Sequence, residues 1–402
     1  MDFFVILFVY ISLPSAMKRF LFLISILTAA SCAKTPQYDV AAYVWPAYQD
    51  DARWQEIGLF HDHKGEWEAV YNAVPKFEGH RQPRVPEWGY IDESSPEVQE
   101  RIIDTALRYG VNTFIFDWYW FDGKPFLEGA LNDGFLKASN NEKMKFYLMW
   151  ANHTANSYWD RNEPDKSIEY WNGKVSGEVF DGFTDHLVND YFKRPNYYRI
   201  DDKPVFCIYE LSNFINGMGG VPQAREALCS FRRKVEEAGL PGLHLQAIIW
   251  GRLPATLSDT PGDSEPTQDK TLLSLGFDSV TNYQWCHLVS TNKEYGEWGE
   301  EAVAYWEKYD EELSVPYFPH VSIDWDPNPR YPVECGPQNC VKNPSPGKFE
   351  TFLRRAKGYV DSHPAQTPLI TINAWNEWAE GSYLEPDTEN GYGYLEAVRN
   401  VF

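Results

Sequence analysis

"SSPEVQERIIDTALRYGVNTFIFDWYW" (residues 94–120) sets a helix pattern, a stop and a strand pattern end to end. The two serines are cap candidates, Pro96 and Glu97 suit a first turn, Val98, Ile102 and Ala106 recur at helical spacing, and Gly110 stops the run. A nearly continuous apolar stretch then extends from Val111 to Trp120. A strand that is apolar at consecutive positions, rather than at every second one, is covered on both faces.

The same unit recurs along the chain. Apolar runs bounded by turn residues stand at 39–48 (DVAAYVWPAY), 110–120, 144–153 (MKFYLMWANH), 203–211 (KPVFCIYEL), 243–251 (LHLQAIIWG), 277–285 (FDSVTNYQW), 316–326 (PYFPHVSIDWD) and 368–378 (PLITINAWNEW). Helical patterns lie between them. One places Ala224, Ala227, Leu228, Phe231, Val235 and Ala238 on one face, and another does so with Phe349, Phe352, Leu353 and Ala356. Strand then helix, eight times, predicts an α/β fold, a (β/α)8 TIM barrel forming one catalytic domain over 39–402 with long βα loops.

Each strand opens apolar and closes on groups able to bind or react. These are Tyr43 and Trp45, Asp117 and Trp118, Asn152 and His153, Tyr209 and Glu210, Trp250, Tyr283, Asp324, then Asn376 and Glu377. All eight C-terminal ends of a parallel barrel meet at one face, where barrel enzymes carry out their chemistry. Beyond the last strand, "WNEWAEGSYLEPD" (375–387) sets Glu377 and Glu380 three positions apart among tryptophans. A helical turn there brings two such residues to about 5–6 Å at Cβ, so that their carboxyls could flank one glycosidic bond. Glu385 reads as a structural or substrate-contacting carboxylate.

A formal charge of −22 without a long basic run argues against a nucleic-acid partner. Aromatic residues make up 16% of the chain, more than a core normally needs, and rings beside carboxylates suit a carbohydrate site. No cluster has zinc spacing and no phosphate-binding loop appears, so neither metal nor cofactor is expected. Residues 17–32, "MKRFLFLISILTAASC", have the layout of a secretory leader ending at a lipoprotein-type Cys32. Residues 1–16 are then a start-site extension and 33–38 a linker. The expectation is an exported bacterial protein, lipid-anchored in the cell envelope and monomeric, whose only membrane contact is the anchor. In that setting Cys335 and Cys340 of "CGPQNC" could close a small disulfide.

The stretch 373–387, "NAWNEWAEGSYLEPD", resembles the signature of the WbsX-like proteins, which are related to glycoside hydrolase family 99, the endo-acting α-mannosidases. Matches continue through "EWEAV" (66–70), "FEGHRQPRVP" (77–86, with His80), "YGVNTFIFDWYWFDGKPFLE" (109–128), "WANH" (150–153), "WDR" (159–161) and "KPVFCIY" (203–209). The resemblance implies retaining hydrolysis of a glycan, with Glu377 taking the proton of the sugar 2-hydroxyl and Glu380 as general acid, then base. It also implies that Tyr43 and Tyr283 sit near the anomeric carbon and that Trp118, Trp120 and Trp150 are stacking platforms. Family 99 commonly has a His where Ala379 stands and a different third-strand pattern from "WANH", which leaves the sugar open. Two alternatives are a non-catalytic glycan-binding lipoprotein and a WbsX-type glycosyltransferase using "DWD" (324–326) as a metal-binding D-x-D.

Overall fold

The computed structural model describes residues 38–250 and 268–402. The leader, the start-site extension, Cys32 and nearly all of the linker lie outside the described residues.

All eight expected runs are strands: β1 (Asp39–Val44), β2 (Thr113–Phe121), β3 (Lys145–Trp150), β4 (Lys203–Ile208), β5 (His244–Ile248), β6 (Ser279–Thr281), β7 (His320–Ser322) and β8 (Leu369–Asn373). They pair in parallel in the order β6-β5-β4-β3-β2-β1-β8-β7. Val280 of β6 then meets the chain just before β7, donating to Pro316 O and accepting from Phe318 N at 2.9 Å each. That bridge joins the two ends of the sheet into a barrel.

The helices on the outside are α1 (Pro96–Arg108), α2 (Gly177–His186), α3 (Val221–Glu237), α4 (Gln268–Leu275), α5 (Tyr295–Glu312), α6 (Pro346–Ser362) and α7 (Gly393–Val401). In α1 the Ser95 side chain accepts from Val98 N, Pro96 occupies the first turn, and Ile102, Ile103 and Ala106 are buried. The faces expected on α3 and α6 are also the buried ones, save that Ala227 and Ala238 are only partly covered. One crossover departs from the expected pattern. Between β2 and β3 the chain makes a π turn (Ala130–Gly134) and a 3-10 turn (Phe135–Lys137) instead of an α-helix. Its backbone lies against the loop that leads into α1 so closely that a Cβ on Gly134 would stand 2.3 Å from Glu93 O.

Strand alternation decides which side chains reach the barrel interior. On β2, Phe114, Phe116 and Trp118 point outward, packing on Phe135 and on Phe183 of α2. Asp117 and Tyr119 point inward toward the mouth. Deeper inside, Thr371 Oγ1 meets Thr281 Oγ1 at 3.0 Å and His320 Nδ1 at 2.9 Å, a satisfied polar layer beneath the site.

Candidate active site

β8 does not run straight into a helix. Asn376–Glu377 pairs antiparallel with Ser382–Tyr383, and a 3-10 turn, Trp378–Glu380, joins them. Gly381 closes this turn at φ +72°, the left-handed region that favours glycine, and a Cβ there would press on Asp324 Oδ2 at 3.1 Å. A 3-10 turn has three residues per turn, so Glu377 and Glu380 still share a side. The ring stack of Trp378 on Tyr383, 3.7 Å between centroids, fixes the hairpin. Glu385 accepts from Trp375 Nε1 at 3.1 Å and Trp378 Nε1 at 2.7 Å, so this carboxyl is structural; burial pushes it up to about 7.

Arg330, in a 3-10 turn after β7, gathers three carboxyls. Its Nε and Nη2 donate to Glu66 at 2.6 and 3.0 Å, its Nη1 to Glu380, and its Nη2 to Glu377 at 3.4 Å. The Arg330 side chain is 3% exposed and Glu66 0%. Glu66 also accepts from Trp45 Nε1 at 2.5 Å. Glu380 receives a further contact from Tyr158 O–H at 3.3 Å.

Tyr283 extends the network. Its oxygen lies 2.7 Å from Glu377 Oε1 and 2.8 Å from Asp117 Oδ2, while Asp117 Oδ1 is buried without a partner. A phenol has one proton to donate, so two short contacts to carboxyl oxygens require one of those carboxyls to be protonated and to donate back. The charges agree. Among the described residues, Arg330 is the one guanidinium on the cavity that Asp117, Glu377 and Glu380 line, and it is shared with Glu66; two buried carboxylates about 5 Å apart repel by about 3 kcal/mol at an effective dielectric of about 20. Burial pushes Glu377 far above the usual carboxylate range, Glu380 adds to this and Arg330 opposes it. Burial also raises Glu380, but Arg330 holds it back. Asp117 is raised by burial, against the pull of Tyr283. His153 and His287 are both held down to about 4 by burial, so they are neutral and add no positive charge.

These groups open on a cavity of about 410 Å3 at the C-terminal face of the barrel. Of the residues expected from sequence, Trp45, Asp117, His153, Tyr209, Glu210, Trp250, Tyr283, Glu377 and Glu380 line it. Tyr43 lies beneath, its ring 4.7 Å from that of Tyr283 and its O–H on Asn282 O. The other expected residues sit elsewhere. Trp118 and Trp120 point to the helix side, against Phe183 and His186, and Trp150, in register with Trp118, packs on Phe180, Phe183 and Phe214. They are not stacking platforms, because strand alternation gives the cavity to their neighbours Tyr119, Met149 and Ala151 instead. Asn152 clamps the Glu210 backbone at N and O, and Asn376 clamps Trp45 at N and O while donating to Glu93; both are structural. His80 and Asp324 line a separate cavity behind the Glu380 turn. Cys335 and Cys340 are free thiols rather than a disulfide. Cys340 is drawn inward where its carbonyl accepts from Asn292 N, while Cys335 ends an outer 3-10 turn.

Sequence reasoning missed Arg330, Tyr158 and the rings of Trp159, Trp325 and His287 as site residues. Trp250 is the best-placed ring, stacked on His287 at 4.2 Å and 5°. Glu66 stood within a matched motif without being singled out. Nothing local marks Arg330 in "DPNPRYP"; only its convergence on three carboxyls does.

The profile of the family described as "Glycosyltransferase WbsX" matches residues 32–398. Protein WxcX of Xanthomonas campestris pv. campestris strain B100, itself uncharacterized, is 28% identical over 346 residues, 84% of this chain and 46% of the relative. The chain thus spans about half the length of the curated relatives it matches. Among solved structures, a glycoside hydrolase-like protein has a TM-score of 0.59 at 16% identity, covering 92% of this chain and 94% of its own. The GH99 endo-alpha-mannosidase from Bacteroides thetaiotaomicron has a TM-score of 0.53 at 12% identity, covering 90% and 95%. At such identities these two establish the barrel fold alone.

Proposed function

The chain belongs to the WbsX family, and from that premise we propose that it is a glycoside hydrolase acting on a glycan through Glu377 and Glu380. One observation carries the reading: two buried carboxyls three residues apart meet one guanidinium in an aromatic-lined cavity at the catalytic face of a (β/α)8 TIM barrel. Glycan cleavage needs one carboxyl to give a proton and another to take one, and their mutual repulsion with unequal partners separates their proton affinities.

In the route that the resemblance implies, the Glu380 proton goes to the leaving oxygen as the C1–O bond breaks. The 2-hydroxyl oxygen bonds to C1 and its proton passes to Glu377. Glu380 then takes a proton from water, which opens the 1,2-anhydro ring as Glu377 returns its proton to O2. The free site leans the other way, because Arg330 and Tyr158 favour the ionised form of Glu380 whereas Glu377 has the greater tendency to hold a proton. Substrate entry must therefore move a proton from the Glu377 side to Glu380. The rims supplied by Trp250 and Trp325 would hold the sugar faces. The leader pattern fits an exported lipoprotein anchored at Cys32, and Cys32→Ser should then release it from membranes.

The test is a product assay by mass on plant, fungal and host polysaccharides. Hydrolysis without any added donor is expected, and Glu377→Gln and Glu380→Gln should each lose about 10²–10⁴-fold. An absolute need for a nucleotide-sugar donor would assign a transferase, and undiminished variants would remove the Glu pair from the chemistry. Glycosyl fluorides need no acid, so Glu380→Gln should still release fluoride in the first step whereas Glu377→Gln should not; 2-deoxy glycosides should be inert.

A further inference from the structure

A second cavity, of about 530 Å3, lies on the far side of the segment that carries Asp324, Trp325 and Asp326. Side chains alternate along it. Trp325 faces the Glu377–Glu380 cavity, while Asp324 and Asp326 face the second one. The two share a wall, since Asp326 N–H donates to Glu380 O at 2.6 Å and Gly381 packs against Asp324.

Its interior is built from fixed polar groups. His80 Nδ1 accepts from Lys76 N at 3.0 Å, which leaves Nε2–H to donate to Asp326 Oδ2 at 2.8 Å. Gln82 Nε2 adds a second donor to the same oxygen at 2.8 Å. By contrast, Asp324 and Arg84 are poorly matched. Their contact is 3.4 Å, Arg84 Nε is buried without a partner, and the Asp324 side chain is 3% exposed. At the rim, Phe77 is 41% exposed and stacks on His80 at 4.4 Å and 7°, a flat ring kept open to solvent on its other face.

We propose that this cavity binds a neutral saccharide unit, separately from the Glu377–Glu380 cavity. A pair of adjacent hydroxyls suits this corner, one donating to Asp324 Oδ2, which has only the long Arg84 contact, and one accepting from the unpartnered Arg84 Nε–H, while a ring face covers Phe77. The charge balance selects the ligand. Arg81, Arg84 and Lys342 stand against Glu78, Asp324 and Asp326 on the lining, so an anion meets carboxylates and a cation meets guanidinium groups. The volume falls within the roughly 300–1,000 Å3 of ligand sites. This inference rests on the glycan-acting reading above, and adds that the chain holds its glycan at two places on either side of one wall.

The experiment is titration of the whole chain with the methyl glycosides of mannose, galactose, glucose and N-acetylglucosamine, by calorimetry and saturation-transfer NMR. At least one should bind, and the binding should survive Trp250→Ala and Glu377→Gln. Phe77→Ala, at an exposed ring, and Arg84→Gln should each weaken it about tenfold, equivalent to about 1.4 kcal/mol. Methyl glucuronide and inorganic phosphate should bind more weakly than the neutral glycosides. The proposal is overturned if no glycoside binds, if binding follows Trp250 and ignores Phe77, or if the anions are preferred. Loss of the hydrolase reading would appear instead as absent turnover with this binding intact.

Discussion

Arg330→Met tests the charge network without requiring a substrate. Methionine keeps much of the length and removes the charge, so Glu66, at 0% exposure, loses its cation and Glu377 and Glu380 lose the group that opposes their protonation. Taking one partner from a buried ion pair costs about 3–5 kcal/mol. For a folded part of roughly 350 residues, unfolding entropy of about 2.1 cal/mol/K per residue converts this to a fall in Tm of about 4–7 °C. The sign with pH is fixed by linkage. Glu377 and Glu380 titrate above their unfolded values, and without Arg330 they titrate higher still, so the folded variant binds more protons than its unfolded chain above the ordinary carboxylate range. Its stability therefore falls as pH rises through that window. Scanning calorimetry at about pH 5 and about pH 8 should show the larger Tm deficit at the higher pH. An equal deficit at both, or a larger one at the acidic pH, would refute the network as described.

Three more outcomes are expected from the geometry. Infrared spectra near neutral pH should contain a protonated-carboxyl C=O band that weakens in Asp117→Asn and shifts in Tyr283→Phe; an unchanged band would remove the shared proton from this trio. Trp150→Ala should cost about 3–5 kcal/mol of stability while leaving KM on any hydrolysed glycan nearly unchanged, since the ring packs under α2 and away from the cavity; a KM effect greater than the kcat effect would return Trp150 to the site. Peptide mapping after alkylation without reductant should find Cys335 and Cys340 both modified, whereas a linked peptide pair would restore the disulfide.

The barrel was legible because eight apolar runs, each buried on both faces, admit few architectures, and their ends all carried polar or aromatic groups. The exception between β2 and β3 was not, because there a glycine packs against a distant loop where a π turn and a 3-10 turn stand in place of an α-helix, and loop contacts leave no periodicity. Among site residues, strand ends gave the right neighbourhood but not the facing. Trp118 and Asp117 are adjacent in sequence, yet one packs on Phe183 and the other on Tyr283.

Local order along the chain was enough to determine the strands, the outer helices apart from the β2–β3 crossover, and a turn bearing Glu377 and Glu380, since each depends on spacing within a few residues. Tertiary structure alone decided which rings face the glycan cavity and that Arg330 joins Glu66, Glu377 and Glu380. It also divided Asp324 and Trp325 between two cavities. The physical reason is that facing and charge pairing are set by how strands register around a closed barrel, which brings Arg330 onto Glu66 across 264 positions of sequence.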